Sequence, residues 1–152
     1  MINIDKVSKS YGKDQVLDEV GLSIDQGKFT AFIGPNGAGK STLLSLISRL
    51  MPKEEGYLYI KGQEIESWDS LNLAKELSML KQKVDYQVKL TVEELVSFGR
   101  FPYSRGRLRP EDWEKIRETM DYLELINLKD RYIDSLSGGQ LQRVFIAMVL
   151  AQ

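Results

Sequence analysis

An eight-residue stretch, Gly-Pro-Asn-Gly-Ala-Gly-Lys-Ser at residues 34–41, constrains the fold of this chain more than any other feature. Its glycines permit a tight turn whose backbone N–H groups point inward, and its lysine adds a positive charge beside them. An apolar run at residues 29–33 precedes the stretch, and an amphipathic segment at residues 41–50 follows it. A buried strand, a glycine-rich loop and a helix in this order predict a phosphate-binding loop in an α/β fold with a parallel sheet.

The chemistry of the loop residues suggests their roles. Lys40 is long enough to reach the β- and γ-phosphates of a nucleotide and is a candidate catalytic residue, while the Ser41 hydroxyl suits Mg²⁺. Thr42 can add a hydrogen bond on the α-phosphate side. The candidate nucleotide-binding residues are Gly34, Pro35, Asn36, Gly37, Ala38, Gly39, Lys40, Ser41 and Thr42.

A second motif, Leu136-Ser137-Gly138-Gly139-Gln140, lies about a hundred residues further along the chain. A serine followed by two glycines at the start of a helix can bind an anion through exposed backbone N–H groups. The same three residues also form ordinary flexible turns before helices. Taken alone, this motif leaves both interpretations open.

Hydrophobic patterning predicts the remaining elements. We expect strands over residues 2–7, 16–24, 29–33, 56–62 and 78–82. We expect helices over residues 41–50, 71–77, 91–98, 110–123 and 137–151, and a loop over 99–109. The predicted inward-facing helical residues are Leu43, Leu46, Ile47, Leu50, Trp113, Ile116, Met120, Leu123, Leu141, Val144, Ile146, Ala147 and Leu150.

Composition narrows the classes of function. The 152 residues carry a net charge of −1, which argues against nucleic acid as a partner. The chain has no cysteine, which excludes disulfide and thiolate chemistry, and no histidine, which removes the usual acid–base residue at neutral pH. No apolar run reaches the roughly 18 residues that a membrane span needs.

Together, the two motifs resemble those of ABC transporter ATP-binding subunits, and the resemblance covers the whole chain. Residues 97–108, Ser-Phe-Gly-Arg-Phe-Pro-Tyr-Ser-Arg-Gly-Arg-Leu, look like the iron–siderophore import branch. The resemblance implies a P-loop NTPase fold of the ABC ATPase type, with an N-terminal antiparallel β element and an inserted helical subdomain. It divides one domain into a β and P-loop core at residues 1–84, a helical subdomain at 85–136 and a signature helix at 137–152.

The resemblance also implies cofactors and partners. ATP and Mg²⁺ would bind between two copies of the subunit, and Leu136, Ser137, Gly138, Gly139 and Gln140 of one copy would face the ATP held by the other. Membrane permease subunits would dock on the helical subdomain, which places the protein on the cytoplasmic face of the cell membrane. No nucleic acid partner is expected.

The resemblance also implies roles for three further features of the sequence. Tyr11 falls where the family stacks an aromatic ring on adenine, and a tyrosine packed near a turn is the alternative. Gln82 falls where the family places a glutamine that contacts Mg²⁺ or the attacking water, although a lone glutamine is usually solvated. The basic and aromatic residues of 100–109 form either a solvated loop or part of the permease-docking region.

Two elements that the family uses for hydrolysis do not occur in the sequence: an apolar strand ending in Asp-Glu, and a later histidine. We therefore expect that the chain is truncated at its C-terminal side, that its core sheet is incomplete and that it has negligible ATPase activity by itself. Two alternatives stay open. One is a soluble ABC protein acting on ribosomes or DNA, and the other is a nucleotide-binding fragment without catalysis.

Overall fold

The structure is a computed structural model that describes residues 1–80 and 89–152. It separates the chain into two units, residues 1–69 and residues 70–152. The first unit contains a β-sheet and the glycine-rich loop, and the second is built from helices. The predicted division into residues 1–84, 85–136 and 137–152 stays a prediction.

A four-stranded antiparallel sheet organises the first unit. Its strands are β1 (Ile2–Tyr11), β2 (Asp14–Ile24), β3 (Glu55–Ile60) and β4 (Gln63–Glu64), and their order in the sheet is β2-β1-β3-β4. The alternation of apolar residues puts one face of the sheet inward, because successive strand side chains point to opposite sides. The buried apolar residues of these strands are Ile4, Val7, Leu17, Leu58 and Ile60.

Strand β3 passes close to β1 at an irregular point of the ladder. The register between the two strands shifts between Asp5 and Ser8, where Lys6 takes a left-handed φ of 49°. Gly56 of β3 has a φ of 80°, and a Cβ atom there would lie 2.2 Å from the Lys6 carbonyl oxygen. Only glycine fits this approach, since contacts under 3.0 Å do not occur for real Cβ atoms.

Helix α1 (Lys40–Ile47) follows the loop, and its residues Leu43, Leu46 and Ile47 are buried as predicted. The helix ends three residues earlier than the predicted Leu50, which is 54% exposed. Arg49 is left-handed, and the N–H groups of Arg49 and Leu50 donate to the carbonyls of Leu46 and Ser45. This Schellman arrangement satisfies the last carbonyls and stops the helix before Pro52 is reached.

The predicted buried strand at residues 29–33 is not formed. This segment has no regular secondary structure, and Phe29 and Ile33 are 98% and 93% exposed. A strand requires a hydrogen-bonded neighbour, and among the described residues no strand pairs with this segment. All strand pairings in the described part of the chain are antiparallel, so the prediction of a parallel sheet is wrong for these residues.

Within residues 70–80 and 89–152, five α-helices form most of the second unit. They are α2 (Ser70–Glu76), α3 (Val92–Ser97), α4 (Phe101–Ser104), α5 (Pro110–Tyr122) and α6 (Gly138–Ala151). Short 3₁₀ turns cover Phe98–Arg100, Ile126–Leu128 and Ile133–Ser135. Thr91 caps α3 as predicted: its hydroxyl accepts from the Glu94 N–H, and the Glu94 carboxylate accepts from the Thr91 N–H.

Two predicted segments of this unit need correction. The segment at residues 99–109 is not a loop throughout, because a 3₁₀ turn and α4 occupy residues 98–104. Pro102 stands in the first turn of α4, where a missing N–H costs nothing, and left-handed Arg105 ends the helix. The predicted strand at 78–82 is absent over residues 78–80, and its last two residues lie outside the described part.

The core of the second unit packs α3, α5 and α6 together. Ile116, Met120, Val144 and Ala147 are buried there as predicted. Trp113 and Leu150 are exceptions, because they are 40% and 48% exposed rather than inward-facing. The other buried core residues are Val92, Leu95, Val96, Leu125, Ile133 and Ala151.

Candidate nucleotide-binding site

The loop at residues 34–41 is held closed by its own lysine. The Lys40 ammonium donates to the carbonyl oxygens of Gly34 and Pro35 at 2.9 and 2.7 Å. The Ala38 N–H also donates to the Pro35 carbonyl, at 3.3 Å. The positive charge is therefore fixed beside the loop backbone, at the start of α1, where the helix dipole also favours an anion.

The glycines of the loop differ in what they contribute. Gly39 is the N-cap of α1 with a φ of 79°, and a Cβ there would lie 2.7 Å from a Leu17 methyl and 2.9 Å from the Val16 carbonyl oxygen. Gly37 has a φ of 85°, which other residues rarely adopt. Gly34 has an ordinary φ and room for a Cβ. Gly37 and Gly39 are thus the positions at which the loop shape requires glycine.

The side chains that follow the lysine are available to a ligand. Ser41 is exposed in the first turn of α1, Thr42 is half-buried, and within the described residues the Ser41 hydroxyl makes no hydrogen bond. The loop residues Pro35, Asn36 and Ala38 are exposed as well. Mg²⁺ bound with a nucleotide takes most of its ligands from phosphate and water, so one free hydroxyl is the kind of protein ligand it uses. Ser41 therefore fits the predicted role.

Tyr11 lies in the same unit as the loop, at the end of β1. The residue is 47% exposed, and its hydroxyl donates to the Met51 sulfur at 3.2 Å. A half-exposed ring anchored at its hydroxyl end is suited to stacking, and adenine stacking stays a prediction for this residue. Gln82, the predicted contact to Mg²⁺ or water, lies outside the described residues.

The second motif forms a capping box at the start of α6. The Ser137 hydroxyl accepts from the Gln140 N–H at 3.4 Å, and the Gln140 side-chain oxygen accepts from the Ser137 N–H at 3.0 Å. Gly138 and Gly139 are exposed, and no atom of the described residues lies within 4 Å of a Cβ built on either, while Leu136 packs against the core. The two side chains hold the turn, and the glycines leave the surface above it open to another molecule.

The phosphate-binding loop lies in the first unit and the serine–glycine motif in the second, so the two are separate features of the fold. The sequence predicted the local structure of both, since each stands at the start of a helix as expected. The family-implied role of each residue remains a prediction.

Sequence reasoning missed the role of Arg100, which it grouped with basic and aromatic neighbours in a solvated loop or a permease-docking region. Its Nε donates to Asp112 at 2.9 Å, its Nη1 donates to the Ala151 carbonyl at 2.9 Å, and its guanidinium lies 4.0 Å from the Tyr103 ring centre. Arg105, Arg107 and Arg109, in contrast, are exposed. The sequence did contain a signal for this contact, namely Pro110 followed by Asp112 at the start of a helix. An acidic residue in the first helical turn is a good candidate to pair with a nearby arginine.

Asp112 is buried and charged in this arrangement. The Arg109 N–H, which donates to its second oxygen at 3.0 Å, and the Arg100 guanidinium together hold the pKa of Asp112 below its ordinary value, against the opposing effect of burial. The carboxylate therefore joins the start of α5 to Arg100, and through Arg100 to the end of α6.

Among residues 1–80 and 89–152, the helices are too short or too polar to cross a membrane. The same residues hold no group of three or more histidine, cysteine, aspartate or glutamate side chains that could bind a metal ion.

Comparison with known proteins agrees with these features. The family model described as ABC transporter matches residues 17–152. The chain is 56% identical over its full length to the petrobactin import ATP-binding protein YclP of Bacillus subtilis and covers 60% of that protein. It is 47% identical to the petrobactin import ATP-binding protein FatE of Bacillus anthracis, again over its full length and 61% of that protein.

Solved structures give the same result. A dimeric bacterial ABC transporter cassette aligns over 99% of this chain and 69% of its own, with a TM-score of 0.84 and 33% identity. A nucleotide-free cassette aligns over 99% and 64%, with a TM-score of 0.82 and 28% identity. The chain thus spans about 60% of the length of the curated relatives it matches. A family model that matches nearly all of the chain, and the agreement of the fold, show that it belongs to the ABC transporter family.

Proposed function

We propose that this chain is the N-terminal part of the ATP-binding domain of an energy-coupling subunit, and that the subunit drives import of iron–siderophore complexes. The observation that carries the proposal is the Lys40 ammonium, fixed against the Gly34 and Pro35 carbonyls at the start of α1. Membership of the ABC transporter family makes ATP the nucleotide to expect in this loop.

The phosphates of ATP bind over the loop backbone, with Lys40 exchanging its carbonyl partners for phosphate oxygens. Ser41 supplies a hydroxyl to Mg²⁺, and Gln82 is the second proposed protein ligand. The metal neutralises charge that develops on the phosphates. Residues 34–42 surround the phosphates, and Tyr11 stacks on the base.

Two copies of the subunit act together in this proposal. The exposed Gly138 and Gly139 of one copy, held by the Ser137–Gln140 capping box, close over the ATP bound by the other. The N–H groups at the start of α6 suit an anionic partner. A similar solved cassette is described as dimeric, which supports this arrangement.

The permease partner docks on the aromatic side chains that the second unit exposes. Phe98, Phe101 and Tyr103 are 52%, 54% and 42% exposed and lie within a stretch of six residues, beside the exposed Arg105 and Arg107. Exposed aromatic and arginine side chains are enriched at protein interfaces. Through this contact the subunit lies on the cytoplasmic face of the membrane.

Petrobactin is the first siderophore to test, because two relatives that match the chain over its full length are named for its import. The whole subunit hydrolyses ATP in this proposal. Residues 1–152 alone are expected to bind ATP without turnover, because they hold no histidine and no acidic pair at the end of an apolar strand.

Calorimetric titration with ATP tests the nucleotide site directly. Lys40→Ala removes a charged partner of the phosphates, and we expect about a 10- to 150-fold weaker affinity, since a hydrogen bond to a charged group contributes about 1.5–3 kcal/mol. Lys28→Ala, at an exposed lysine before the loop, is the matched control and should bind like wild type. Equal affinity of the two variants would refute the site.

Uptake of iron–petrobactin by cells tests the importer. Deletion of the gene should abolish uptake of labelled iron–petrobactin, and the wild-type gene should restore it, whereas the Lys40→Ala gene should not. The subunit should purify with the membrane fraction. Co-purification with ribosomes and unchanged uptake would favour a soluble ABC protein instead.

A further inference from the structure

The segment that follows α1 is attached to the end of β1 at two points. The Tyr11 hydroxyl donates to the Met51 sulfur at 3.2 Å. The Glu54 carboxylate accepts from the Ser10 N–H at 2.9 Å and from the Lys9 ammonium at 2.5 Å. Three consecutive residues of β1 are therefore held by residues 51–54.

These contacts set the position of the Tyr11 ring. The Lys9 ammonium lies 5.9 Å from the ring centre, in a cation–π geometry that occupies one ring face. Lys9 is itself held by Glu54, and its side chain is only 13% exposed. Tyr11 as a whole is nevertheless 47% exposed, so the residue has surface available for a planar partner.

The Lys9–Glu54 pair is intact at neutral pH. Hydrogen bonds from Lys9 and from the Ser10 N–H hold the pKa of Glu54 below its ordinary value. The carboxylate therefore keeps its charge, and with it both of its contacts to β1, throughout the physiological range.

The same segment leads back to the phosphate-binding loop. Helix α1 begins at Lys40 and ends at Ile47, and its Schellman turn at Arg49 and Leu50 leads directly into Met51. One short helix thus connects the lysine that faces the phosphates to the residues that hold Tyr11. A base and a triphosphate bound together would contact both ends of this connection.

We infer that Met51 and Glu54 are positioning residues for Tyr11, which fix its ring so that one face receives the purine base of a nucleotide. The inference rests on the proposed ATP site. Met51 accepts the only side-chain hydrogen bond shown for the Tyr11 hydroxyl among the described residues, and Glu54 holds the cation against the opposite face.

A purely structural role for Met51 makes a different prediction. If Met51 only held β1 in place, its loss would disturb the whole unit and weaken every contact to the nucleotide. If it acts through Tyr11, its loss weakens contact with the base and leaves the phosphate contacts unchanged. Binding of ATP and of inorganic tripolyphosphate, which has no base, separates the two cases.

The test is calorimetric titration of the chain with each ligand. Met51→Leu keeps the side-chain volume and removes the sulfur acceptor. We expect ATP to bind it roughly 2- to 12-fold more weakly, in line with the contribution of one hydrogen bond. Tripolyphosphate should bind as tightly as to wild type. Met148→Leu, the same substitution in the second unit, should change neither affinity.

Variants of Tyr11 show whether the effect passes through this ring. Tyr11→Phe should match Met51→Leu, and the double variant should be no weaker than either single one, because each removes the same hydrogen bond. Tyr11→Ala should weaken ATP by about 5- to 150-fold through lost stacking, with tripolyphosphate unaffected. Adding Met51→Leu to Tyr11→Ala should have no further effect.

Each contrary result has a distinct meaning. Equal weakening of ATP and tripolyphosphate by Met51→Leu overturns the positioning role and leaves the ATP site intact. Unchanged ATP binding by Tyr11→Ala removes the stacking role, and the inference with it, while Lys40-dependent binding stands. If Lys40→Ala leaves tripolyphosphate binding unchanged, the proposed nucleotide site itself fails.

Discussion

Replacing Gly99 with alanine tests the closest approach of two backbones in the second unit. Gly99 is buried in the 3₁₀ turn Phe98–Arg100, which packs against α6. A Cβ at this position would lie 2.1 Å from the Met148 carbonyl oxygen and 3.2 Å from the Ala151 Cβ. Neither obstacle is the end of a flexible side chain, so the turn and the helix must separate to admit a methyl group.

The contact distances at Gly99 give the size of the expected loss of stability. Ordinary contact begins near 3.4 Å, so the oxygen and the new methyl must move apart by more than an ångström. Overpacking of a core costs typically about 1–3 kcal/mol. Because the helix backbone itself must move, we expect the loss in the free energy of unfolding to lie at the upper end of this range, at about 3 kcal/mol. For a chain of 150 residues this corresponds to a fall in Tm of roughly 6–12 °C.

Urea denaturation followed by far-UV circular dichroism measures the loss directly. Gly139→Ala is a matched control, because it is the same substitution at an exposed position of α6, and in the described part of the chain no atom lies within 4 Å of the new Cβ. Alanine favours helix over glycine, so this variant should gain about 0.5–1 kcal/mol. The two alanine variants should therefore change the free energy of unfolding in opposite directions.

Two results would refute the reasoning. A loss below about 0.5 kcal/mol for Gly99→Ala would mean that the turn is not held against α6, since surface substitutions have effects of that size. A comparable loss for Gly139→Ala would mean that the effect comes from helix chemistry in general and not from the approach to Met148.

The Arg100–Asp112 pair makes two further predictions. Arg100→Met removes the cation from the Asp112 carboxylate, whose side chain is only 3% exposed. We expect the free energy of unfolding, measured by urea denaturation, to fall by about 2–4 kcal/mol. The control Arg117→Met, on the exposed side of α5, should lower it by less than about 0.5 kcal/mol. A loss no larger than that of the control would show the pair to be dispensable. Because the folded-state pKa of Asp112 lies below 3.8, its stabilising contribution should be complete above about pH 5 and should disappear as pH falls through the folded-state value. Asp112→Asn should therefore be less stable at neutral pH, with a flatter dependence of the urea midpoint on pH between 6 and 3; parallel curves for the two proteins would contradict this.

Local chemistry explains what the sequence could predict. Thr91 and Ser137 each stand three residues before a side chain that completes a capping box, and both helices begin where expected. The glycine-rich loop was equally predictable, because Gly37 and Gly39 take φ values of 85° and 79°, which other residues rarely adopt. These features depend on neighbours within four residues.

Features that depend on distant partners were not predictable. The apolar pattern of residues 29–33 suits a buried strand, but a strand needs neighbours that no local pattern identifies, and Phe29 is 98% exposed. Arg100 looked like its basic neighbours, although it contacts Ala151, which is 51 residues away. The Met51 contact to Tyr11 spans 40 residues and has no sequence signature.

The Lys40 ammonium gives the loop a form of selectivity among anions. Its two bonds to the Gly34 and Pro35 carbonyls mean that an incoming anion competes with the protein's own backbone for one cation. A polyphosphate, with several charges and many acceptor oxygens, can displace both carbonyls at once. Chloride and acetate each carry a single charge and few acceptor atoms, so replacing the two carbonyls at Lys40 gives them little binding free energy. We therefore expect the loop to bind polyphosphates in preference to chloride and acetate.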